Sequence, residues 1–148
     1  MHVGKQKFVD GANDVARHLT DDLMRSTKDW LEYLIDRYRV MIYSGNLDVI
    51  VGNLLSPTLL LDSYSRFFQG TPLTQTMLQT LNWSAANQWK VSKKRFWKVN
   101  KNDTDIAGYV KKYKSFYYVV IRGAGHVAPA DKPRETYDLL TKFIRRTL

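Results

Sequence analysis

Phe116–Pro133 reads FYYVVIRGAGHVAPADKP, and this stretch orients the whole chain. Its apolar run, Phe116–Arg122, has the length and composition of a buried strand. GAGHVAP, residues 123–129, follows as a glycine-flanked loop, and Asp131-Lys132-Pro133 opens a helix. His126 therefore stands on a loop at the carboxyl end of a strand, where its imidazole can reach out of the fold. Imidazole titrates near neutrality, which suits it to general acid–base work. Beyond the loop, RETYDLLTKFIRRT (134–147) has helical periodicity. Leu139, Leu140, Phe143 and Ile144 are expected on its buried side, and Arg145-Arg146 suit its C-terminal dipole.

Upstream, RVMIY (39–43) is a second short apolar run, ended by Ser44-Gly45-Asn46 and leading into SGNLDVIV. It reads as a buried strand of a sheet with helices on both faces. Asp48 and His126 thus both follow strands, 78 residues apart. Functional residues of open α/β sheets collect at the carboxyl ends of strands. If these two strands are near neighbours in a parallel sheet, the Asp48 carboxylate can hold one ring nitrogen of His126 and fix its tautomer. The other nitrogen is then free to take a proton from a nucleophile. Taken singly, Asp48 also suits a helix cap, and His126 also suits a loop histidine bonded to backbone.

The remaining elements fill in an α/β order. Residues 13–24 carry Val15, Leu19 and Leu23 at fourfold spacing behind a cap candidate, Asn13. Residues 27–38 form a second amphipathic helix whose apolar side includes Trp30, Leu31, Leu34, Ile35 and Tyr38. Residues 49–55 and 58–68 read as mostly helical around a break at Pro57. Gly70-Thr71-Pro72 reads as a loop and 73–81 as helix, while 82–90 is ambiguous. Strands are expected at 95–99 and 106–113, paired as a hairpin across the turn 100–103.

Composition bounds the function. The chain has 148 residues, 44% apolar and 25% charged, enough for one domain with a core. It has no run of about 18 apolar residues, so no membrane span is expected. MHVGKQKFVDGAND lacks the apolar core of a signal peptide. Without cysteine there is no disulfide or thiolate nucleophile, and histidines at 2, 18 and 126 do not predict a zinc site. Asn82-Trp83-Ser84 and Asn102-Asp103-Thr104 are candidate N-glycosylation sequons. Most of the +9 net charge falls in residues 90–122, with ten Lys and Arg against two Asp. Alternating basic and apolar residues there suit a solvated strand edge guarded by lysines. No nucleic-acid motif accompanies the charge, so nucleic acid is the least favoured partner.

FYYVVIRGAGHVAPADKP resembles the histidine signature of the serine carboxypeptidases, a family of the α/β-hydrolase superfamily. The matching features are the apolar strand, Gly-Ala-Gly before His126, Pro129 and Pro133. YSGNLDVIV resembles that family's aspartate segment, AGYVKKY the strands between the two, and DDLMRSTKDWLEYLIDRYRV the lead into the aspartate strand. The resemblance covers nearly the whole chain and is nearest the vitellogenic type. It implies that Asp48 is the triad acid and His126 the general base. Gly123 and Gly125 would shape the loop, and Pro129 and Pro133 would be structural. It implies removal of C-terminal residues from peptide substrates, at acidic pH, in lysosomes, vacuoles or the secretory route, with no cofactor or metal.

The nucleophile of such a hydrolase sits in G-x-S-x-G ahead of the aspartate. No serine here has glycine two residues before it, and only 47 residues precede Asp48. Residues 1–148 are therefore expected to be the C-terminal portion of a serine carboxypeptidase catalytic domain. The fold expected is an N-terminally truncated α/β-hydrolase, with a mainly parallel sheet flanked by helices. An upstream chain or segment would supply the serine, and this polypeptide alone is expected to be inactive. The alternative is a non-catalytic interaction module that retains part of the hydrolase fold.

Overall fold

The computed structural model describes residues 17–23, 25–48 and 70–148. Among the described residues, four strands form one sheet: β1 (Val40–Gly45), β2 (Lys94–Trp97), β3 (Gly108–Tyr113) and β4 (Phe116–Ile121). Their order is β1-β4-β3-β2. The helices are α1 (Thr20–Leu23), α2 (Lys28–Arg37), α3 (Gly70–Gln79), α4 (Ala86–Val91), α5 (Ala128–Asp131) and α6 (Pro133–Ile144).

The sheet is mixed, which corrects the expectation of a mainly parallel one. β1 and β4 are parallel, but β4–β3 and β3–β2 are antiparallel. The reason is covalent. Only Lys114 and Ser115 separate β3 from β4, and so short a link joins only antiparallel neighbours. The hairpin expected between β2 and β3 is present.

β4 is buried at all six positions because both faces are covered. Phe116, Tyr118 and Val120 face a core built with Ile35, Leu78, Leu81, Trp83 and Trp89. Tyr117, Val119 and Ile121 face a second core with Trp97, Val110, Ala124 and Leu139. The two-residue period of the strand distributes them between the faces.

Several sequence expectations shift. Helix 27–38 appears as α2, but of its apolar residues only Ile35 is fully buried; Trp30 is 74% exposed and Tyr38 60%. α6 packs through Thr136, Leu139 and Phe143, and Leu140 and Ile144 lie beside that stripe and face solvent. Leu139 is the anchor, and truncating so buried a leucine costs about 2–5 kcal/mol. Gly70-Thr71-Pro72 is the first turn of α3 rather than a loop, where proline is tolerated because the first N–H groups of a helix are unpaired anyway. The ambiguous segment 82–90 contains α4, fixed by the buried indoles of Trp83 and Trp89 against Phe116. The expected helices at 49–55 and 58–68, and Asn13 and Val15 of the first helix, lie outside the described residues.

Candidate active site

The parallel pairing sets Gly45 opposite Ile121, so β1 and β4 end at the same level. Backbone bonds carry the contact past the strands. Asn46 N–H donates to the Ile121 carbonyl at 3.0 Å and Leu47 N–H to the Ala124 carbonyl at 2.9 Å. Asp48 N–H turns back to the Gly45 carbonyl at 3.2 Å. Gly45 permits this approach, since a Cβ there would stand 2.2 Å from the Ala124 oxygen and 2.3 Å from that of Gly125.

Two side chains then tie down the histidine loop. Gly123 N–H donates to Asn46 Oδ1 at 2.6 Å, and Gly125 N–H donates to Asp131 Oδ2 at 2.7 Å. Gly123 has φ +73°, a left-handed conformation that glycine adopts without a steric penalty. Pro129 lies in the first turn of α5 and Pro133 opens α6. The Thr136 hydroxyl donates to the Ala128 carbonyl at 3.2 Å and joins α6 to the loop's end.

His126 Nδ1 consequently stands 3.1 Å from Asp48 Oδ2. The Asp48 side chain is 6% exposed and that of His126 46%. With the proton on Nδ1, the imidazole donates to the carboxylate and leaves Nε2 as an acceptor. Nε2 has no hydrogen-bond partner among the described residues. A hydroxyl docked on the open side of the ring could give its proton to Nε2, and the carboxylate would stabilise the imidazolium that results. The side-chain partner of His126 is thus a carboxylate rather than backbone. The helix that Asp48 would cap lies outside the described residues.

Asn46 and Asp131 were not singled out by their sequence context, though both are short acceptors beside glycine- or proline-marked turns, where such side chains bond backbone. Asn82 and Asn102 are exposed and lie apart from the site. Asn82 N–H donates to Glu32 Oε1 at 2.7 Å, and the Ser84 hydroxyl of the same sequon to Asp36 Oδ1 at 2.6 Å. Among the described residues, no helix is long and apolar enough to cross a membrane, and no group of three or more acidic or histidine side chains could hold a metal ion.

The relatives of the chain carry related names. A probable serine carboxypeptidase CPVL of Mus musculus is 34% identical over 144 residues, 97% of this chain and 26% of that protein. The venom serine carboxypeptidase of Apis mellifera is 33% identical over 143 residues, again 97% and 26%. The vitellogenic carboxypeptidase of Aedes aegypti is 30% identical over 148 residues, 99% and 27%. The chain thus spans about a quarter of the length of the curated relatives it matches. The model of one family, the serine carboxypeptidases, matches residues 1–146. With the match running through both loops and nearly every residue, the chain belongs to the serine carboxypeptidase family.

Proposed function

We propose that the chain supplies the acid and the base of a serine carboxypeptidase triad, Asp48 and His126. The observation that carries this reading is the 3.1 Å contact between a buried carboxylate and a half-exposed imidazole at the ends of two parallel strands. In the reaction, His126 Nε2 takes the proton of a serine hydroxyl as that oxygen attacks the carbonyl of the C-terminal peptide bond. The imidazolium then protonates the departing amine, and water repeats the cycle on the acyl-enzyme. Gly123, Gly125, Pro129 and Pro133 shape the histidine loop. The serine is on no glycine-flanked turn of these 148 residues, so it belongs to the part of the family's length that this chain does not span. Residues 1–148 are then the C-terminal portion of the catalytic domain, and the polypeptide by itself does not cleave peptides.

The words venom and vitellogenic in the names of relatives support a place in the secretory route. Exposed Asn82 and Asn102 suit glycan acceptors there.

The test is release of the C-terminal residue from a blocked dipeptide by the native protein. His126→Ala and Asp48→Asn should each lower kcat by about 10⁴-fold, the loss seen when a triad base is removed or held in the wrong tautomer. Full activity in either variant would refute the assignment. A second reading, an interaction module, is favoured by the apolar exposure of Trp30 and Tyr33 on α2 and of Tyr38 just after it. It predicts that His126→Ala changes no function of the native protein.

A further inference from the structure

A groove of about 730 Å³ lies on the α6 side of the β2–β3 hairpin and shares no residue with the Asp48–His126 site. Six cationic residues line it: Lys93, Arg95, Lys98, Lys112, Lys114 and Lys142. No aspartate or glutamate does. Three of the six have internal work. Lys142 Nζ donates to Asp138 and to the carbonyls of Lys98 and Val99. Lys98 Nζ donates to the Asp103 carbonyl, and Lys112 Nζ to that of Leu148. Lys93, Arg95 and Lys114 have no hydrogen-bond or ion-pair partner among the described residues.

Register sharpens the arrangement. Lys94 pairs with Lys111 and Arg95 with Val110, and Lys93 stands one residue before this ladder begins. Like charges opposed across a strand pair destabilise it. On the other face, the opposed Lys94 and Lys111 are accommodated: Lys111 Nζ donates to the Lys90 carbonyl at 2.9 Å and sits 4.2 Å over the Trp89 ring, while Lys94 Nζ donates to Gln75. On the groove face no side chain of the described residues pairs with Lys93, Arg95 or Lys114. An anionic ligand would.

The groove selects among anions. Its cations stand two residues apart at the strand margins, Lys93 just before β2 and Arg95 within it, Lys112 within β3 and Lys114 in the turn that follows, a spacing of about 6.8 Å where the chain is extended. Acidic side chains at alternate positions of an extended peptide have the same repeat. Successive nucleic-acid bases need several open aromatic faces, yet Phe96 is exposed whereas Trp97 is buried. Sugar hydroxyls need carboxylate or amide acceptors, and no Asp, Glu, Asn or Gln lines the groove.

We propose that this groove binds an extended acidic peptide segment with Asp or Glu at alternate positions, held by Lys93, Arg95, Lys112 and Lys114. The proposal is independent of the triad.

The test is fluorescence anisotropy of the native protein with a short labelled peptide of alternating Glu and Ala. Competitors are an isomer with the glutamates in one block, a heparin fragment and oligo-dT. The alternating peptide should bind most tightly, and its affinity should fall steeply with salt. Lys93→Gln with Arg95→Gln should weaken binding about tenfold, while Lys93→Arg with Arg95→Lys and His126→Ala leave it unchanged. Equal binding of the block isomer, tighter binding of heparin or oligo-dT, an unaltered Kd in the neutralised variant, or no binding would each overturn the proposal. If the neutralised variant lost its fold, the isomer comparison and the salt dependence on the native protein would still decide.

Discussion

Asn46 Oδ1 accepts the Gly123 N–H at 2.6 Å, a side-chain bond that joins the loop carrying Asp48 to the loop carrying His126. It holds the two loops in register beyond the last strand residues, where sheet bonding has ended. A shift of an ångström there would separate the carboxylate from the imidazole, and catalytic geometry tolerates little misplacement. Asn46→Ala in the native protein should cost about 1–2 kcal/mol of stability by leaving the Gly123 donor unpaired. Its kcat should fall more than KM rises. Steady-state kinetics with urea denaturation reads both, and an unchanged kcat would remove Asn46 from the positioning role.

Gly45 makes a harder constraint on the same juxtaposition. The obstructing atoms are the backbone oxygens of Ala124 and Gly125, which cannot rotate away as a side-chain tip can. Gly45→Ala should destabilise by about 2–3 kcal/mol and displace the histidine loop. Thermal unfolding measures the first effect, and the chemical shift of the His126 ring nitrogens the second. Wild-type values of both would show that the loops have slack.

Asp131 holds the peptide immediately before His126 through Gly125 N–H. Asp131→Ala should lower kcat by roughly tenfold, about the worth of one charge-assisted hydrogen bond. Asp131→Asn keeps an oxygen acceptor at that place and should restore most of the loss. Equal activity in the two variants would mean that the acceptor does not matter.

Asp103 accepts from Asn100 N–H and from Arg134 Nη2, and these bonds hold its carboxyl below the ordinary 3.8. A depressed folded value means that its contribution to stability is whole above 3.8 and is lost as pH falls through the folded value. Asp103→Asn should therefore show a shallower loss of stability in strong acid than wild type. Urea midpoints at neutral pH and below pH 3.8 compare them; parallel acid limbs would contradict the linkage.

Much of the architecture is legible in the linear pattern. β4 is a six-residue apolar run, and both its faces are buried. α2, the hairpin and α6 follow their periodicities to within a few residues. Asp48 and His126 stand out because each follows such a run and because the stretch around His126 has a family signature. α4 was not legible, since its place depends on Trp83 and Trp89 reaching Phe116, about thirty residues away in the chain. Leu140 and Ile144 looked internal because helical periodicity gives the width of an apolar stripe but not which part of it meets the sheet.

The residues by themselves determined most local states: the buried strands, the hairpin, the helices α2 and α6, and that Asp48 and His126 each follow a strand. Those follow from short-range periodicity and backbone preference. Only the tertiary structure decided that β1 lies against β4, in parallel and with Gly45 level with Ile121. Strand pairing is a contact between segments more than seventy residues apart, and no local preference specifies the partner or the register. From that pairing come the 3.1 Å approach of Asp48 to His126 and the bonds from Asn46 and Asp131 that hold the loop in place.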